Sequence, residues 1–335
     1  MPTKEDLKEL QIQTLSRKIL ISHTRILEWC IKNDWNVFVS FSAGKDSCVL
    51  AELVAQVWKE NTEKPLTLVY SDTGMEFIEV KKHSLTFKNY LSSKYQIKVD
   101  LITLRPKANA YKVFKDVGYP IISKKIARQL RDLSNPTNTN YNSRKLYTTG
   151  LKINGDIAKS FRLAQKWRKL FKVGDDFKAN IPFKVSEECC KYLKKKPLQD
   201  FEKKSGMKTF VGTMASDSST REQGWLLTGC NNFSRGGQSK PISFWLEHDI
   251  LSYIKQFNIP ISSVYGEIVE INGKLKTTGE HNTGCKYCMF GCHLEKGETR
   301  FERLKKLEPI SYEYAMREEN GLGLAKVLDF LGVKY

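Results

Sequence analysis

The chain has 335 residues, 40% hydrophobic and 27% charged, so it is long enough for a large core and has the composition of a globular protein. Its formal net charge of +18 favours a polyanionic partner or substrate, although a basic solvated surface with no specific partner is the alternative. No apolar run approaches the roughly 20 residues that span a bilayer, and segment 1–10 lacks the apolar core of a signal peptide. We therefore expect a cytoplasmic protein with no membrane partner, whose eight cysteines stay reduced.

Residues 4–33 carry apolar side chains at helical spacing and predict one or two supporting helices ahead of a sheet. A β-branched and aromatic run, 37–41, then leads into Ser-Ala-Gly-Lys-Asp-Ser at 42–47, after which apolar residues resume at helical spacing. This pattern predicts a strand, a tight loop and a helix. The backbone amides of such a turn, together with the positive end of the following helix, form an anion site.

The side chains of this loop also suit phosphate. Gly44 permits close approach of a ligand to the backbone, and Lys45 adds a positive charge. The hydroxyl groups of Ser42 and Ser47 can donate hydrogen bonds to phosphate oxygens. The sequence therefore predicts that the loop binds a phosphorylated ligand.

The loop differs from the phosphate loop of kinases and GTPases, which requires glycine at the position of Val39 and serine or threonine at the position of Asp46. It resembles instead the pyrophosphate loop (PP-loop) of the adenine nucleotide α-hydrolase superfamily, Ser-x-Gly-Gly-Lys-Asp-Ser, with Ala43 replacing the first glycine. An ordinary strand-to-helix turn with a stray lysine is the alternative interpretation. The resemblance implies that six consecutive residues bind the nucleotide: Ser42, Ala43, Gly44, Lys45, Asp46 and Ser47.

The following segments continue the alternation of strands and helices. Residues 65–70 predict a second strand, which ends in Asp72-Thr73-Gly74; a helix at 77–95 and a third strand at 98–104 follow. This alternation indicates parallel β-α-β units, so we expect the α/β class, a Rossmann-like parallel sheet with helices on both faces. Ligands of such sheets gather at the carboxyl ends of the strands, where 42–47 and 72–74 both lie.

Segment 122–172 differs from its surroundings in charge. It contains thirteen lysine and arginine residues against two aspartates, and the aromatic residues Tyr141, Tyr147, Phe161 and Trp167 are interleaved among the charges. Basic and stacking groups together suit a nucleic-acid strand, DNA or tRNA. They equally suit a helical cap whose aromatic residues are buried, and the sequence does not choose between the two.

The remainder of the chain predicts a strand at 208–212, a polar loop at 213–221, a helix at 247–257 and a hairpin at 267–278 that turns on Asn272-Gly273. The last forty residues have a helical pattern. The predicted organisation is an N-terminal helical segment (1–34), a PP-loop core (35–121), a basic insertion ending in Cys-Cys (122–204), the rest of the core (205–265) and a C-terminal region with Cys-x-x-Cys (266–335).

Five motifs occur in the order found in the phosphoadenosine phosphosulfate (PAPS) reductase family, which the chain resembles over most of its length. They are Ser42 to Ser47, Asp72 to Gly74, Cys189-Cys190 with Lys194, Gly212 with Asp217, Ser218 and Arg221, and Pro241 with Trp245. The resemblance implies that Asp72, Thr73 and Gly74 face the nucleotide with Asp217 and Ser218, and that Arg221 contacts phosphate or sulfate oxygens. Met214 stands where the family often has an arginine.

The cysteines extend this resemblance. The branch of the family that reduces adenosine phosphosulfate binds a four-iron four-sulfur (4Fe-4S) cluster with a Cys-Cys pair and a later Cys-x-x-Cys. The matching residues here are Cys189, Cys190, Cys285 and Cys288. Four thiolates suit such a cluster. Zinc also accepts four thiolates, usually as two spaced pairs, and buried structural cysteines are the remaining interpretation.

The nucleophile of sulfonucleotide reductases departs from the pattern. The family places a thiolate near the C-terminus in Glu-Cys-Gly-x-His, where it attacks the sulfate sulfur. Segment 294–335 contains no cysteine. Cys292, which precedes His293, or Cys230 is the available substitute, because a nearby imidazolium lowers a thiol pKa.

Three functions remain open at this point. The first is ATP pyrophosphatase chemistry with Mg²⁺, in which adenylation supports sulfur transfer, as in DNA phosphorothioation and tRNA thiolation, with nucleic acid on the basic region. The second is reduction of adenylyl sulfate or its 3′-phosphorylated form to sulfite with a thiol electron-donor protein. The third is a non-catalytic nucleotide and iron-sulfur sensor. We expect the first, with four catalytic residues: Lys45, Asp46, Arg221 and Cys292.

Overall fold

The computed structural model describes residues 1–335 and divides into two compact units. The first unit comprises Met1–Asp72, Glu76–Pro106 and Lys196–Gly284. The second comprises Thr73–Met75, Lys107–Lys195 and Cys285–Tyr335. No helix combines the length and the apolar composition that crossing a membrane requires.

The chain forms eight strands: β1 (Val37–Phe41), β2 (Leu66–Ser71), β3 (Val99–Leu104), β4 (Ile121–Ile122), β5 (Lys208–Val211), β6 (Ile268–Ile271), β7 (Lys274–Thr277) and β8 (Met289–Phe290). It forms fourteen α-helices: α1 (Lys4–Gln11), α2 (Leu15–Lys32), α3 (Lys45–Asn61), α4 (Ile78–Tyr95), α5 (Ala110–Asp116), α6 (Lys124–Ser134), α7 (Tyr141–Thr149), α8 (Gln165–Leu170), α9 (Lys196–Ser205), α10 (Ser219–Thr228), α11 (Glu247–Phe257), α12 (Arg300–Leu307), α13 (Pro309–Met316) and α14 (Leu324–Leu331).

A four-stranded parallel sheet in the order β3-β2-β1-β5 forms the centre of the first unit. Its two middle strands, β1 and β2, are buried along almost their whole length, as their continuous apolar sequences require of a sheet covered on both faces. The α/β class predicted from the sequence is therefore confirmed. The strand order reverses between β1 and β5, and ligands of open parallel sheets bind in the crevice at such a point.

Helix α3 links β1 to β2 and is the most buried helix of the first unit. Twelve of its seventeen residues are buried, among them Leu50, Val54 and Trp58. A helix that is apolar on all sides belongs in the interior, so its first turn is held firmly at the carboxyl edge of the sheet. The predictions of helices before the sheet, of helix 247–257 and of a hairpin turning on Asn272-Gly273 are also confirmed.

The second unit is mainly helical and contains the short parallel pair β4 and β8, in which Ile121 pairs with Met289. The aromatic residues of the basic segment divide into two groups. Tyr147 and Trp167 are 9% and 8% exposed and belong to the core, whereas Tyr141 and Phe161 are 48% and 49% exposed. Tyr147 and Trp167 therefore have the burial expected of a helical cap, whereas the binding of nucleic acid by this segment stays a prediction.

Candidate nucleotide and cysteine sites

The loop after β1 is held by hydrogen bonds among its own residues. The hydroxyl of Ser47 accepts from the amide of Ser42 at 3.2 Å and donates to the carbonyl of Gly44 at 2.9 Å. The hydroxyl of Ser42 lies 3.1 Å from that of Ser47 and accepts from the amide of Gly44 at 3.3 Å. The two serines therefore fix the turn from which α3 begins.

Two small residues in this turn are required for different reasons. Ala43 is fully buried and has a φ of 56°, in the left-handed region that costs a residue with a Cβ about 1–2 kcal/mol. Gly44 has an ordinary φ, but a Cβ there would lie 3.0 Å from Thr283 Oγ1 and 3.2 Å from Tyr265 Oη. The first position thus needs an unusual backbone conformation, and the second needs space.

Lys45 is buried, and its ammonium group is surrounded by oxygen atoms. Its Nζ lies 3.1 Å from the carbonyl oxygen of His281, 3.4 Å from Asn282 Oδ1 and 3.4 Å from Glu247 Oε1. Its backbone amide donates to the hydroxyl of Tyr265 at 3.0 Å. An amide and an ammonium group that could bind phosphate are therefore already engaged by oxygens of the chain itself.

Asp46 faces a group of carboxylates. Burial raises the pKa of Asp46, the charge of Lys45 opposes that rise, and the carboxylates of Asp217 and Glu247 add to it. Its Oδ1 is buried without a hydrogen bond, and Lys45 Nζ is 3.6 Å away. The loop therefore combines positive charge at Lys45 with several acidic groups that neutralise it.

The polar loop after β5 lies beside the loop after β1. A Cβ on Gly212 would lie 3.2 Å from the carbonyl oxygen of Asp46. Asp217 accepts from the amide of Met214 at 3.0 Å and is ion-paired with Arg221, whose side chain is 48% exposed. Ser218 caps helix α10 by accepting from the amide of Arg221 at 3.3 Å. The structure thus brings the 42–47 and 217–221 motifs to one edge of the sheet.

The third predicted nucleotide segment is divided between the two units. Asp72 follows β2 in the first unit, where its buried carboxylate pairs with Lys81 at 2.8 Å and lies 3.7 Å from Arg105. Thr73 and Gly74 belong to the second unit, where the Thr73 hydroxyl accepts from the amide of Met75 at 3.2 Å. Gly74 has a φ of 73° and no atom near the position of a Cβ. The backbone conformation alone therefore explains why a glycine stands at position 74.

The four cluster-type cysteines all belong to the second unit. Cys189 donates to the sulfur of Cys190 at 4.0 Å, and this hydrogen bond, with Lys124, Lys194 and Lys195 nearby, lowers the pKa of Cys190 to about 6 against the effect of burial. The hydrogen bond to Cys190, burial and the charges of Cys288 and Cys285 raise the pKa of Cys189. The two pairs, far apart in sequence, are therefore close enough to interact electrostatically.

A four-iron cluster and a single zinc ion require different spacings of the four thiols. Burial, together with the charges of Cys285 and Cys190, raises the pKa of Cys288 to about 11. No three histidine, cysteine or carboxylate side chains are placed to hold one metal ion. A four-iron cluster distributes its thiolates over four irons and so requires a wider spacing than one zinc ion does. Cys189, Cys190, Cys285 and Cys288 are the residues that would hold it.

The two candidate nucleophiles are both buried thiols. Cys292 is 1% exposed, donates to the carbonyl of Met289 at 3.0 Å, and has a pKa raised by burial to about 11. Cys230 is 8% exposed, accepts a hydrogen bond from the hydroxyl of Ser243 at 3.4 Å, and has a pKa raised by burial. The raised pKa of each thiol disfavours the thiolate form, which is the form that attacks sulfur.

Several residues at the nucleotide loop carried no recognisable signal in the sequence. Glu247, Tyr265 and the segment 281–283 surround Lys45, although they lie more than 200 positions later in the chain. Glu247 stands two residues after Trp245 of the Pro-x-x-x-Trp motif, which is the only hint. Their role depends on tertiary contacts, which no local pattern encodes.

The sequence model of the phosphoadenosine phosphosulfate reductase domain matches residues 36–131 and 136–293. Among solved structures, the crystal structure of PAPS reductase from Candida auris in its phosphate complex is similar, with 15% sequence identity, a TM-score of 0.36, and coverage of 82% of this chain and 98% of that one. None of the curated proteins matches the chain.

The match to the family model extends over more than half of the chain, and its two segments include the nucleotide loop, the polar loop after β5 and all four cluster-type cysteines. The parallel sheet and the position of the loop at the carboxyl end of β1 agree with the nucleotide α-hydrolase-like architecture. The chain therefore belongs to the phosphoadenosine phosphosulfate reductase family.

Proposed function

We propose that this protein is an ATP pyrophosphatase-type enzyme that activates an acceptor by adenylation in support of sulfur transfer. An acceptor oxygen attacks the α-phosphorus of ATP, the bond to the β-phosphate oxygen breaks, and pyrophosphate leaves with the electron pair. The observation that carries this proposal is the state of Cys230 and Cys292, which are buried thiols with raised pKa values. Adenylation needs no cysteine nucleophile on the enzyme, whereas sulfonucleotide reduction does.

In this proposal the loop at 42–47 binds the phosphates. Lys45 and Arg221 supply positive charge to the phosphate oxygens, which the transition state needs as negative charge develops on pyrophosphate. Asp46, whose pKa is raised by burial, sits beside Lys45 and restrains its ammonium group. Mg²⁺ would enter with ATP, bound by the phosphates of the nucleotide.

The four cysteines Cys189, Cys190, Cys285 and Cys288 would hold a 4Fe-4S cluster, which supplies electrons or sulfur chemistry when bound. What the chain itself contributes is a charged environment. The hydrogen bond from Cys189, together with Lys124, Lys194 and Lys195, favours the thiolate form of Cys190, the form that binds iron.

Nucleic acid is the acceptor that the charge of the protein favours. Segment 122–172 has thirteen lysine and arginine residues against two aspartates. Within it, Phe161 presents a half-exposed ring, and Lys125 Nζ lies 5.7 Å from the centroid of that ring. Rings and cations of this kind bind stacked bases and phosphates. DNA and tRNA both have this chemistry, and an electron-donor thiol protein is a further partner that the proposal requires if the cluster is to turn over.

Reduction of adenylyl sulfate or its 3′-phosphorylated form to sulfite is the second candidate, and the identity of the matching family model favours it. It requires a thiolate that attacks sulfur and displaces the nucleotide. It also requires strong contacts to the sulfate or the 3′-phosphate, yet Met214 occupies a position where the family often has an arginine.

One experiment distinguishes the two. Anaerobically purified protein is incubated with ATP and Mg²⁺ in the presence of tRNA or duplex DNA, and separately with each sulfonucleotide and a dithiol, while pyrophosphate and sulfite are measured. We expect pyrophosphate from ATP, its loss in Lys45→Met, and its retention in Cys230→Ala and Cys292→Ala. Sulfite release that disappears in Cys292→Ala or Cys230→Ala would establish reduction instead, and a protein with a cluster and neither product would be a sensor.

A further inference from the structure

A cleft of about 680 Å³ opens beside the first turn of α11, and strand β7 forms its other wall. Its charged lining comes from Glu247, His248, Lys274, Lys276 and His281, all of which belong to the first unit. The volume lies within the range of about 300–1,000 Å³ that is usual for small-molecule sites. None of the motifs that identify the family includes β7 or the turn before it.

The lining of this cleft is positive. Lys274 and Lys276 alternate along β7, so they lie on one face of the hairpin, and neither forms an ion pair. Their cross-strand partners are the apolar residues Ile271 and Val269. The acidic residue of β6, Glu270, is paired with Leu275 and so lies on the opposite face. No carboxylate of the hairpin forms an ion pair with either lysine, although Leu275 and Thr277, which share the face of Glu270, also line the cleft.

Glu247 does not offset this charge, because it is engaged elsewhere. Its Oε1 lies 3.4 Å from Lys45 Nζ and 3.2 Å from His281 Nδ1. The backbone of His281 is also tied to the loop, since its carbonyl oxygen accepts from Lys45 Nζ at 3.1 Å. Glu247 and His281 thus line the cleft and contact the nucleotide loop at the same time.

From this arrangement we infer that the cleft between α11 and β7 is the site of the second substrate, and that it binds the acceptor through a phosphate ester group on Lys274 and Lys276. The inference rests on the proposed adenylation, because it is that reaction which has an acceptor as its second substrate. Glu247 and His281 both line the cleft and contact Lys45, the lysine that would bind ATP. A single residue therefore separates a phosphate ester in the cleft from Lys45. The phosphate belongs either to a small phosphorylated molecule or to a nucleic-acid strand, which share this chemistry.

The test is a binding measurement with the loop filled. The full-length protein is first titrated with α,β-methylene-ATP, and a fluorescently labelled thymidine tetranucleotide is then added and followed by anisotropy. We expect Lys274→Ala/Lys276→Ala to weaken tetranucleotide binding about tenfold, because two cations that neutralise phosphate are removed. The slope of log K against log salt should become shallower by about 1.4, or about 0.7 for each phosphate of the single strand that is no longer neutralised. Affinity for the ATP analogue should not change.

The matched control is Lys8→Ala/Lys59→Ala, which removes the same charge from exposed positions on α1 and α3. If the cleft variant and this control bind the tetranucleotide equally, the inference is wrong, because only net charge matters. Competition by thymidine 5′-monophosphate identifies a small phosphorylated acceptor, and its failure to compete identifies a strand. Failure of the ATP analogue to bind contradicts the proposed function. That outcome is separate from the test of the cleft, which depends only on binding of the tetranucleotide. Lys274→Gln/Lys276→Gln repeats the test with longer side chains should the alanine variant fold poorly.

Discussion

The nucleotide loop and the cysteine region both come from short sequence motifs, but different contacts fix their side chains. In the loop, Ser42, Gly44 and Ser47 hold one another by hydrogen bonds within six residues. The cysteine pairs at 189–190 and 285–288 come from distant segments and act on one another through charge. A motif whose contacts are local carries its own geometry, whereas a motif divided over the chain depends on the fold to assemble it.

The two regions also differ in what balances their charge. Lys45 is already surrounded by oxygens from Glu247, His281 and Asn282, so the loop is close to neutral before a ligand arrives. In the cysteine region, the hydrogen bond from Cys189 and the nearby lysines lower the pKa of Cys190, whereas burial raises the pKa of Cys288. The first arrangement makes ligand binding an exchange of partners, and the second shifts the pKa values of neighbouring thiols in opposite directions.

The largest effect should come from removing one of the four proposed cluster ligands. We expect Cys288→Ser to abolish the broad visible absorption that anaerobic reconstitution with iron and sulfide gives the unmodified protein, because a hydroxyl is a poor ligand for iron in such a cluster. Bound iron and sulfide, measured chemically, should fall with the absorption. Cys230→Ser is the control, since Cys230 belongs to the other unit and its neighbour Ser243 can hydrogen-bond a hydroxyl. Equal iron content in the two variants would remove Cys288 from the cluster.

The next largest effect concerns the loop. We expect Lys45→Met, which removes the charge and roughly keeps the volume, to weaken ATP binding by about 10- to 100-fold, the equivalent of about 1.5–3 kcal/mol for a hydrogen bond to a charged group. Lys59→Ala, an exposed position near the end of the same helix, should leave the affinity unchanged. Calorimetric titration measures both. An unaltered affinity in Lys45→Met would mean that the ammonium group of Lys45 pairs with Glu247 and Asp46 and does not bind ATP.

The sequence predicted what local patterns encode. The order of strands and helices around 37–104, the loop at 42–47 and the hairpin on Asn272-Gly273 all depend on residues close in sequence, and the structure has each of them. The tertiary fold brings Tyr265, Glu247 and the segment 281–283 to Lys45. No local sequence pattern predicted these contacts. The exposure of Phe161 and the burial of Trp167 could not be separated either, because both rings alternate with lysines in the same way.

A smaller effect is expected from the raised pKa of Asp46. Burial and two neighbouring carboxylates make its ionised form less favourable in the folded protein than in the unfolded chain. The resulting loss of stability is complete above the raised pKa and disappears below the usual value of 3.8. Asp46→Asn should therefore raise the melting temperature near pH 7, by an amount that shrinks as the pH falls towards 3.8. Asp175→Asn, at an exposed position, should show no such trend. A lower melting temperature at pH 7 would mean that the contact with Lys45 outweighs burial.

The smallest effect should come from Ala43, where the loop departs from the family's glycine. Ala43→Gly relieves a left-handed conformation worth about 1–2 kcal/mol and adds about 0.5–1 kcal/mol of backbone entropy to the unfolded chain, so we expect a gain of about 0–1.5 kcal/mol in the free energy of unfolding. Ala55→Gly, in the middle of α3, should instead lose about 1 kcal/mol, because glycine disfavours a helix interior. Chemical denaturation measures both. If Ala43→Gly destabilised the protein as Ala55→Gly does, the methyl group of Ala43 would contribute more to packing than its conformation costs, and the loop would depend on tertiary contacts as the cysteine region does.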